Sequence, residues 1–336
     1  MNNAVTQALI LGLGKTGLSC ARYLQQQGIA FDFADSRQQP ALLAQAQQLF
    51  PDADMLLGEF HEGLLDGVQM LVLSPGIDPR NALVKKAYAQ GLDVVGDVEL
   101  FARSVQQPVV AITGSNGKST VTELLGAMAK ASGVDVAIGG NLGTPALDLL
   151  ESAAQLYVLE LSSFQLETLH SLSASAAVVL NVSEDHLDRY EYSMEKYADS
   201  KFRILQNMTE EDHFIYYNED EWIQKGIKKF NLICQQHPYS LDVIKGMTGY
   251  VTNNNSIEQG EATNNHPEQS RREIIINCKQ QLTMSIHDLA LKGKHNTQNS
   301  LASGIAASIL DIRKDSIRES LGDFENVEHR LEFVGK

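Results

Sequence analysis

The sequence predicts an α/β chain built on parallel, doubly wound sheets. Three observations carry that expectation. Short apolar runs alternate with stretches of helical spacing from Ala8 to Gln206. Two of those runs lead into glycine-rich loops that open helices. The alternation then repeats in a second block that starts near Gly96.

The elements follow in order. Ala8–Leu13 (ALILGL) is a short strand, and Thr16–Gln27 follows with Leu18, Ala21 and Leu24 at helical spacing. Ala30–Ala34 is a second strand, closed by Asp35-Ser36-Arg37, and Leu42–Leu49 is an amphipathic helix. Met70–Leu73 is a strand broken by Ser74-Pro75-Gly76. Leu83–Gln90 is a helix, and Leu92–Val95 a strand. A second block starts near Gly96. Val109–Thr113 is a strand, Ser119–Ser132 a helix and Asp135–Ile138 a strand running into Gly139-Gly140-Asn141. Leu156–Leu161 and Ala176–Val182 are further strands, and Met194–Gln206 is a helix.

Bulk properties narrow the function. The chain has 336 residues, 43% hydrophobic and 21% charged, enough for two domains and a further piece. Its net charge of −15 argues against a general nucleic-acid surface but not against small anionic ligands. Cys20, Cys234 and Cys278 are odd in number and far apart. They show neither metal spacing nor a disulfide framework, so a reducing, cytoplasmic compartment is expected. No basic segment precedes the first apolar run, and that run is short. Neither a targeting segment nor a membrane span is expected.

The texture changes near Gln206, from Ala, Leu and Gly to Asn, Ile, Lys and Glu. Thr252–Ser270 is polar and reads as a mobile loop. A domain boundary, a lineage feature and a junction of two related sequences are all compatible with the change.

Two loops carry phosphate-binding signals of different strength. Gly12-Leu13-Gly14-Lys15-Thr16-Gly17 matches G-x-G-x-x-G between a strand and a helix, and Asp35 sits near the spacing of a ribose-binding acid. A nicotinamide or flavin site is one reading; close helix packing alone is another. Arg37 complicates a plain NAD site, because it favours additional negative charge. Gly114-Ser115-Asn116-Gly117-Lys118-Ser119-Thr120 is sharper. Its backbone N–H groups can cradle phosphates, Lys118 can reach the terminal phosphate, and Ser119 or Thr120 can hold Mg²⁺. Its first glycine stands three residues before Gly117 rather than the five of the common P-loop. A dehydrogenase needs one such loop. A transferase or ligase using ATP on a nucleotide-bearing substrate needs two.

Further candidates lie at strand ends. Glu160 closes Leu156–Leu161, a position suited to Mg²⁺. Ser183 reads as a helix N-cap with Glu184 and Asp185 in the first turn, which explains both acids structurally. His186 lacks that explanation and points to a metal or phosphate role. Lys201, in its helix, reads by residue type as a solvated charge.

In order along the chain, TGSNGKST, GGNLGTPAL, YVLELSSFQLE, LNVSEDHLDRY and GKHNTQN resemble the Mur ligase family. VGDVELF and LSPGI narrow the resemblance to the branch that joins D-glutamate to UDP-N-acetylmuramoyl-L-alanine. It covers essentially the whole chain, more closely before Gln206. The resemblance implies an ATP-dependent ligase in which a substrate carboxylate becomes an acyl phosphate and an incoming amine displaces phosphate. It implies that Gly114 to Thr120 bind ATP phosphates, with Lys118 on the terminal phosphate and Ser119 on Mg²⁺. By the same resemblance Glu160 and His186 would serve metal sites. Lys201 would match the family lysine that becomes N-carboxylated and assists Mg²⁺, against its residue-type reading. Asn141 would meet substrate or a metal-side phosphate, and Ser162 the muramoyl group. Asn296 and Asn299 would hold the adenine side, and Arg330 would approach ATP.

The first loop then changes meaning. A Rossmann-like domain over residues 1–96 would hold a uridine nucleotide through Lys15, Thr16, Asp35, Ser36, Arg37, Ser74 and Gly76, and NAD is not expected. A P-loop-type ATPase domain would span 97–326, with a linker stub over 327–336. The family's third domain, which supplies much of the D-glutamate site, is expected to be missing after Lys336, leaving a monomer that binds nucleotides but ligates poorly. Two alternatives stay open: an NAD(P)-dependent oxidoreductase using the first glycine loop, and a non-catalytic nucleotide-binding fragment or chimera.

Overall fold

The apolar runs become strands buried on both faces, as a helix-covered parallel sheet requires. All five residues of Val109–Thr113 and of Leu156–Glu160 are buried. The computed structural model describes residues 7–254 and 271–324.

In chain order the elements are β1 (Gln7–Leu11), α1 (Lys15–Gln26), β2 (Ala30–Asp35), α2 (Leu43–Leu49), β3 (Met55–Leu57), β4 (Met70–Leu73), α3 (Ala82–Ala89), β5 (Asp93–Gly96) and α4 (Asp97–Ala102). Next come β6 (Val109–Thr113), α5 (Lys118–Ala131), β7 (Val136–Gly140), α6 (Ala146–Leu149), β8 (Leu156–Glu160), α7 (Ser163–Leu166), β9 (Ala176–Val179) and α8 (Met194–Phe202). The remainder is β10 (His213–Tyr217), α9 (Glu221–Lys229), β11 (Gln235–Tyr239), β12 (Gly249–Asn254), β13 (Arg271–Asn277), β14 (Gln281–Ser285), α10 (Lys294–Ile309) and α11 (Lys314–Asp323).

The chain divides into two units. The first holds Met1–Pro108, Ala137–Ala174 and His186–Asn207; the second holds Val109–Val136, Ser175–Asp185 and Met208–Lys336. In the first unit a parallel sheet runs in the order β3-β2-β1-β4-β5. Its order reverses between β1 and β4. The loops leaving those two strands therefore diverge to opposite faces and open a crevice at the carboxyl edge. Leu9 and Leu11 of β1, Leu71 and Leu73 of β4, and Val84 and Ala87 of α3 share one apolar core below that crevice. Neighbouring strands β8 and β7 bring Glu160 and Gly140 to adjacent strand ends in the same unit.

In the second unit the strands run in the order β14-β13-β12-β11-β10-β9-β6. The pairs from β6 through β11 are parallel, whereas β12, β13 and β14 pair antiparallel. Helix α10 is buried from Asn299 to Ile309 and packs on α5.

Several boundaries differ from the sequence expectation. The first strand stops at Leu11, because Gly12 turns the chain with a φ of +100°. The strand expected over Ala176–Val182 ends at Val179, and the helix expected over Met194–Gln206 ends at Phe202 and tightens into a 3-10 turn. The chain passes from the first unit to the second after Asn207, where the texture changes. Before that crossing, Arg203 and Gln206 donate side-chain hydrogen bonds to the Leu166 and Leu169 carbonyls. The polar stretch 252–270 begins inside β12; residues 255–270 lie outside the described residues, as do Arg330 and the expected stub 327–336.

Candidate functional site

The crevice of the first unit holds a cavity of about 470 Å³. Gly12, Gly14, Lys15 and Thr16 line it from the first glycine loop, Asp35, Ser36 and Arg37 from the end of β2, and Ser74 to Ile77 from the end of β4. Gly140, Asn141 and Gln165 complete it. The glycines divide their tasks. A side chain at Gly12 would strike Ser74 Cβ at 2.8 Å, and one at Gly17 would overlap the Gly12 carbonyl. Gly14 faces open space, so a ligand can approach its backbone.

The structure thus gathers Lys15, Thr16, Asp35, Ser36, Arg37, Ser74, Gly76 and Asn141 around one cavity. Asp35 is heavily engaged there. Its carboxylate accepts from the Leu13 and Arg37 amides and from the Arg37 guanidinium. Burial alone would raise its pKa, but the Arg37 and Leu13 bonds prevail and hold it down at about 2. Ser162 stands one step behind the wall, in a capping box with Gln165. Gln165 in turn donates to the buried Asp97.

A second group of predicted residues sits elsewhere in this unit. Glu160 is 2% exposed and accepts a 2.9 Å bond from Asn141 Nδ2. The Asn141 amide donates to the Glu160 carbonyl at 2.8 Å, and a side chain at Gly140 would overlap that same carbonyl. Lys201 is 1% exposed, with Nζ 4.6 Å from the Tyr197 ring centroid. The solvated charge suggested by residue type is therefore a buried one, because α8 turns this face inward. His186 is exposed, with a left-handed φ of +48°, and its ring lies 5.1 Å from that of Phe164.

In the second unit a cavity of about 580 Å³ is lined by Asn116, Gly117 and Thr120, by Asn181 and Ser183, by Tyr217 and Asp220, and by residues of α10 that include Asn296 and Asn299. Helix α5 begins here with no side-chain cap and no acid in its first turn. Its leading N–H groups and dipole form a ready anion site. Lys118 Nζ folds back onto the Gly114 and Ser115 carbonyls at 3.0 and 3.1 Å. Gly117 holds a φ of +86°, and a side chain there would meet Asn299 Oδ1 at 2.6 Å. Ser119 follows Lys118 in the first turn of α5.

One expectation is corrected here. Ser183 does not cap a helix; residues 183–186 are irregular, and a 3-10 turn starts only at Leu187. The Ser183 amide instead donates to Ser115 Oγ at 3.0 Å, and that hydroxyl donates to the Ser183 carbonyl. A partner far along the chain outcompeted the local cap. Glu184 and Asp185 therefore do not stand in a first helical turn. Asn181, which sequence reasoning did not single out, holds the loop more firmly. Its side chain exchanges two 2.9 Å bonds with the Asn116 backbone, and its carbonyl accepts from the Ser115 amide. An Asn just past a strand end was the available signal.

Fold and geometry define an α/β protein with two glycine-loop pockets, each at the carboxyl edge of a largely parallel sheet. The Mur ligase MurD-like N-terminal domain matches residues 6–96, and the Mur ligase middle domain matches residues 112–307. The UDP-N-acetylmuramoylalanine--D-glutamate ligase of Coxiella burnetii is 37% identical over 332 residues, 98% of this chain and 69% of that protein. The protein of the same name from Marinobacter nauticus is 55% identical over 198 residues, 59% of this chain and 44% of its own length. Among solved structures, a UDP-N-acetylmuramate:L-alanyl-gamma-D-glutamyl-meso-diaminopimelate ligase from Neisseria meningitides shares the fold, with a TM-score of 0.62 at 18% identity. That match covers 96% of this chain and 99% of the other. The chain belongs to the Mur ligase family.

Proposed function

We propose that this chain carries the nucleotide-handling part of an ATP-dependent amide ligase of peptidoglycan precursor synthesis, one that joins D-glutamate to UDP-N-acetylmuramoyl-L-alanine through an acyl phosphate. The observation that carries this reading is the presence of two different glycine-loop pockets in one chain. The first offers Lys15 and Arg37 beside an open glycine backbone, a setting for a uridine diphosphate. The second offers an uncapped helix N-terminus with Lys118, a setting for a nucleoside triphosphate.

The chemistry needs both. A carboxylate resists attack until phosphorylation supplies a leaving group. In this reading Gly114 to Thr120 bind the ATP phosphates, Lys118 leaves its loop carbonyls for the terminal phosphate, and Asn296 and Asn299 face the adenine side. Asn141 and Ser162 orient the muramoyl end of the substrate. Such fixed donors stabilise charge as it moves between oxygens.

Mg²⁺ belongs to the proposal. Among the described residues no group of three or more His, Cys, Asp and Glu side chains gathers to hold a metal. Mg²⁺ on a nucleotide takes one or two carboxylates and fills its shell with phosphates and water. In the first unit Glu160, His186 and a carbamate on Lys201 would serve as ligands; in the second, Ser119 would. When bound, the ion neutralises charge on the transferring phosphoryl group. No described helix is long and apolar enough to cross a membrane; a cytoplasmic monomer is part of the proposal.

Calorimetric titration tests the two pockets separately. UDP-N-acetylmuramoyl-L-alanine and Mg·ATP should each bind. Lys118→Ala should abolish ATP binding alone, and Arg37→Ala should weaken only the UDP ligand. Binding of NADH without binding of UDP would overturn the assignment.

A further inference from the structure

Arg189 is a cation with little access to water, 9% exposed at its side chain. Its guanidinium spends its donors in a specific way. It pairs with Glu167 at 2.8 Å, donates to the Pro75 carbonyl at 2.8 Å and donates to the Ile77 carbonyl at 3.1 Å. Those carbonyls flank Gly76 in the wall of the first cavity. The same guanidinium lies 4.0 Å from the Phe164 ring centroid, and Phe164 also packs on His186. Arg80, bonded to Asp78 at 2.7 Å, reaches the other oxygen of Glu167 at 3.3 Å. The wall is thus held at two points.

The backbone that presents Arg189 is strained. Its turn, Leu187–Tyr190, follows His186 and precedes Glu191 and Tyr192, at φ values of +48°, +54° and +57°. Left-handed non-glycine residues persist only where surrounding contacts enforce them. Here the contacts are the buried Tyr190 side chain and the bonds of Arg189.

We propose that Arg189 is a positioning residue of the first pocket: it holds Pro75-Gly76-Ile77 as a preformed wall for the uridine nucleotide and ties that wall to the turn that begins at His186. The proposal rests on the uridine reading of this pocket. An unheld wall samples other shapes, and affinity falls by the fraction of time the competent shape is lost. Occupancy of the pocket should also quiet the His186 turn, because Arg189 connects the two.

The full chain serves for the test, with UDP as the probe. Hydrogen–deuterium exchange is followed over residues 74–77 and 186–192, and UDP affinity is measured by calorimetry. Arg189→Ala should speed exchange over 74–77 without any ligand, raise the UDP Kd about tenfold or more, and abolish the slowing that UDP causes over 186–192. Glu167→Gln removes the charge partner but leaves both carbonyl bonds. It should lower Tm about as much as Arg189→Ala while leaving the UDP Kd within about twofold. Equal Kd effects from the two variants would reduce Arg189 to an ordinary ion pair and overturn the proposal. So would unchanged exchange over 74–77. Should Arg189→Ala fail to fold, Arg189→Lys, which keeps the charge but loses the planar fork that spans Glu167 and the two carbonyls, carries the same comparison. A wild-type chain that does not bind UDP sinks the uridine reading instead, and the unliganded exchange data still decide whether Arg189 holds the wall.

Discussion

Replacing Gly117 by alanine probes the ATP-side loop at its tightest point. The cost has two separable parts. A residue with a Cβ held at a φ of +86° pays about 1–2 kcal/mol relative to glycine. The new Cβ would also lie 2.6 Å from Asn299 Oδ1, closer than real contacts allow. Asn299 is 7% exposed and bonded to Asn296 Oδ1 at 3.4 Å, so it cannot swing aside freely. Displacing it costs about 1 kcal/mol more, through a lost hydrogen bond or a poor rotamer. Gly117→Ala should therefore destabilise the second unit by about 2–3 kcal/mol. Urea unfolding of a double-mutant cycle with Asn299→Ala is the assay. In the Asn299→Ala background only the strain of about 1–2 kcal/mol should remain, leaving a coupling of about 1 kcal/mol. Identical costs in both backgrounds, or a cost well under about 1 kcal/mol, would refute the reasoning.

Other outcomes follow from buried groups. Burial pushes the Asp97 carboxyl up to about 6, against the lowering bonds from Gln165 and the Val98 amide. The unfolded carboxyl titrates near 3.8, so the folded state binds more protons between these values. Stability from this group is full below the unfolded value and is lost as pH rises through about 6. Asp97→Asn should remove that slope and gain up to about 3 kcal/mol at neutral pH; parallel wild-type and variant profiles in pH-dependent melting would contradict it. His237 has the opposite sign. Burial, then the charge of His213 bonded to it at 2.9 Å, lower its pKa from 6.5 to about 4. Its contribution is full above 6.5 and declines as pH falls towards about 4. His237→Gln should flatten the wild-type loss over that range; an unchanged acid limb would show that the pair does not titrate this way. Gly140→Ala would force the strand end off the Glu160 carbonyl. It should displace Asn141 and weaken UDP-N-acetylmuramoyl-L-alanine binding about tenfold, while binding of ATP without Mg²⁺ holds. Calorimetry with both ligands checks this, and an undiminished substrate affinity would count against the Asn141 assignment.

Much of the frame was legible in the chain itself. Apolar periodicity placed β1, β4, β6 and β8 with small errors at their ends, because burial on both faces leaves a continuous apolar run. The errors fall where backbone conformation ends an element before its apolar residues do, as at Gly12 and after Val179. The three-residue β3 carried too little pattern to be recognised. After Gln206 the signal fades in Gln235–Tyr239, which is largely polar and exposed to half-buried, whereas β10, buried at Phe214, Ile215 and Tyr216, is apolar enough to be read from sequence.

By itself, the sequence determined the strand–helix rhythm, the two glycine loops and the family they belong to, since each is written in neighbouring residues. Tertiary structure alone decided which distant groups complete those loops. Asn181 braces Asn116 across 65 residues, and Arg189 reaches Pro75 across 114. Folding also turned Lys201 inward and gave Ser183 to Ser115 in place of a helix cap. A hydrogen bond depends on atoms meeting in space, and local propensity carries no record of a partner that only the folded sheet brings near.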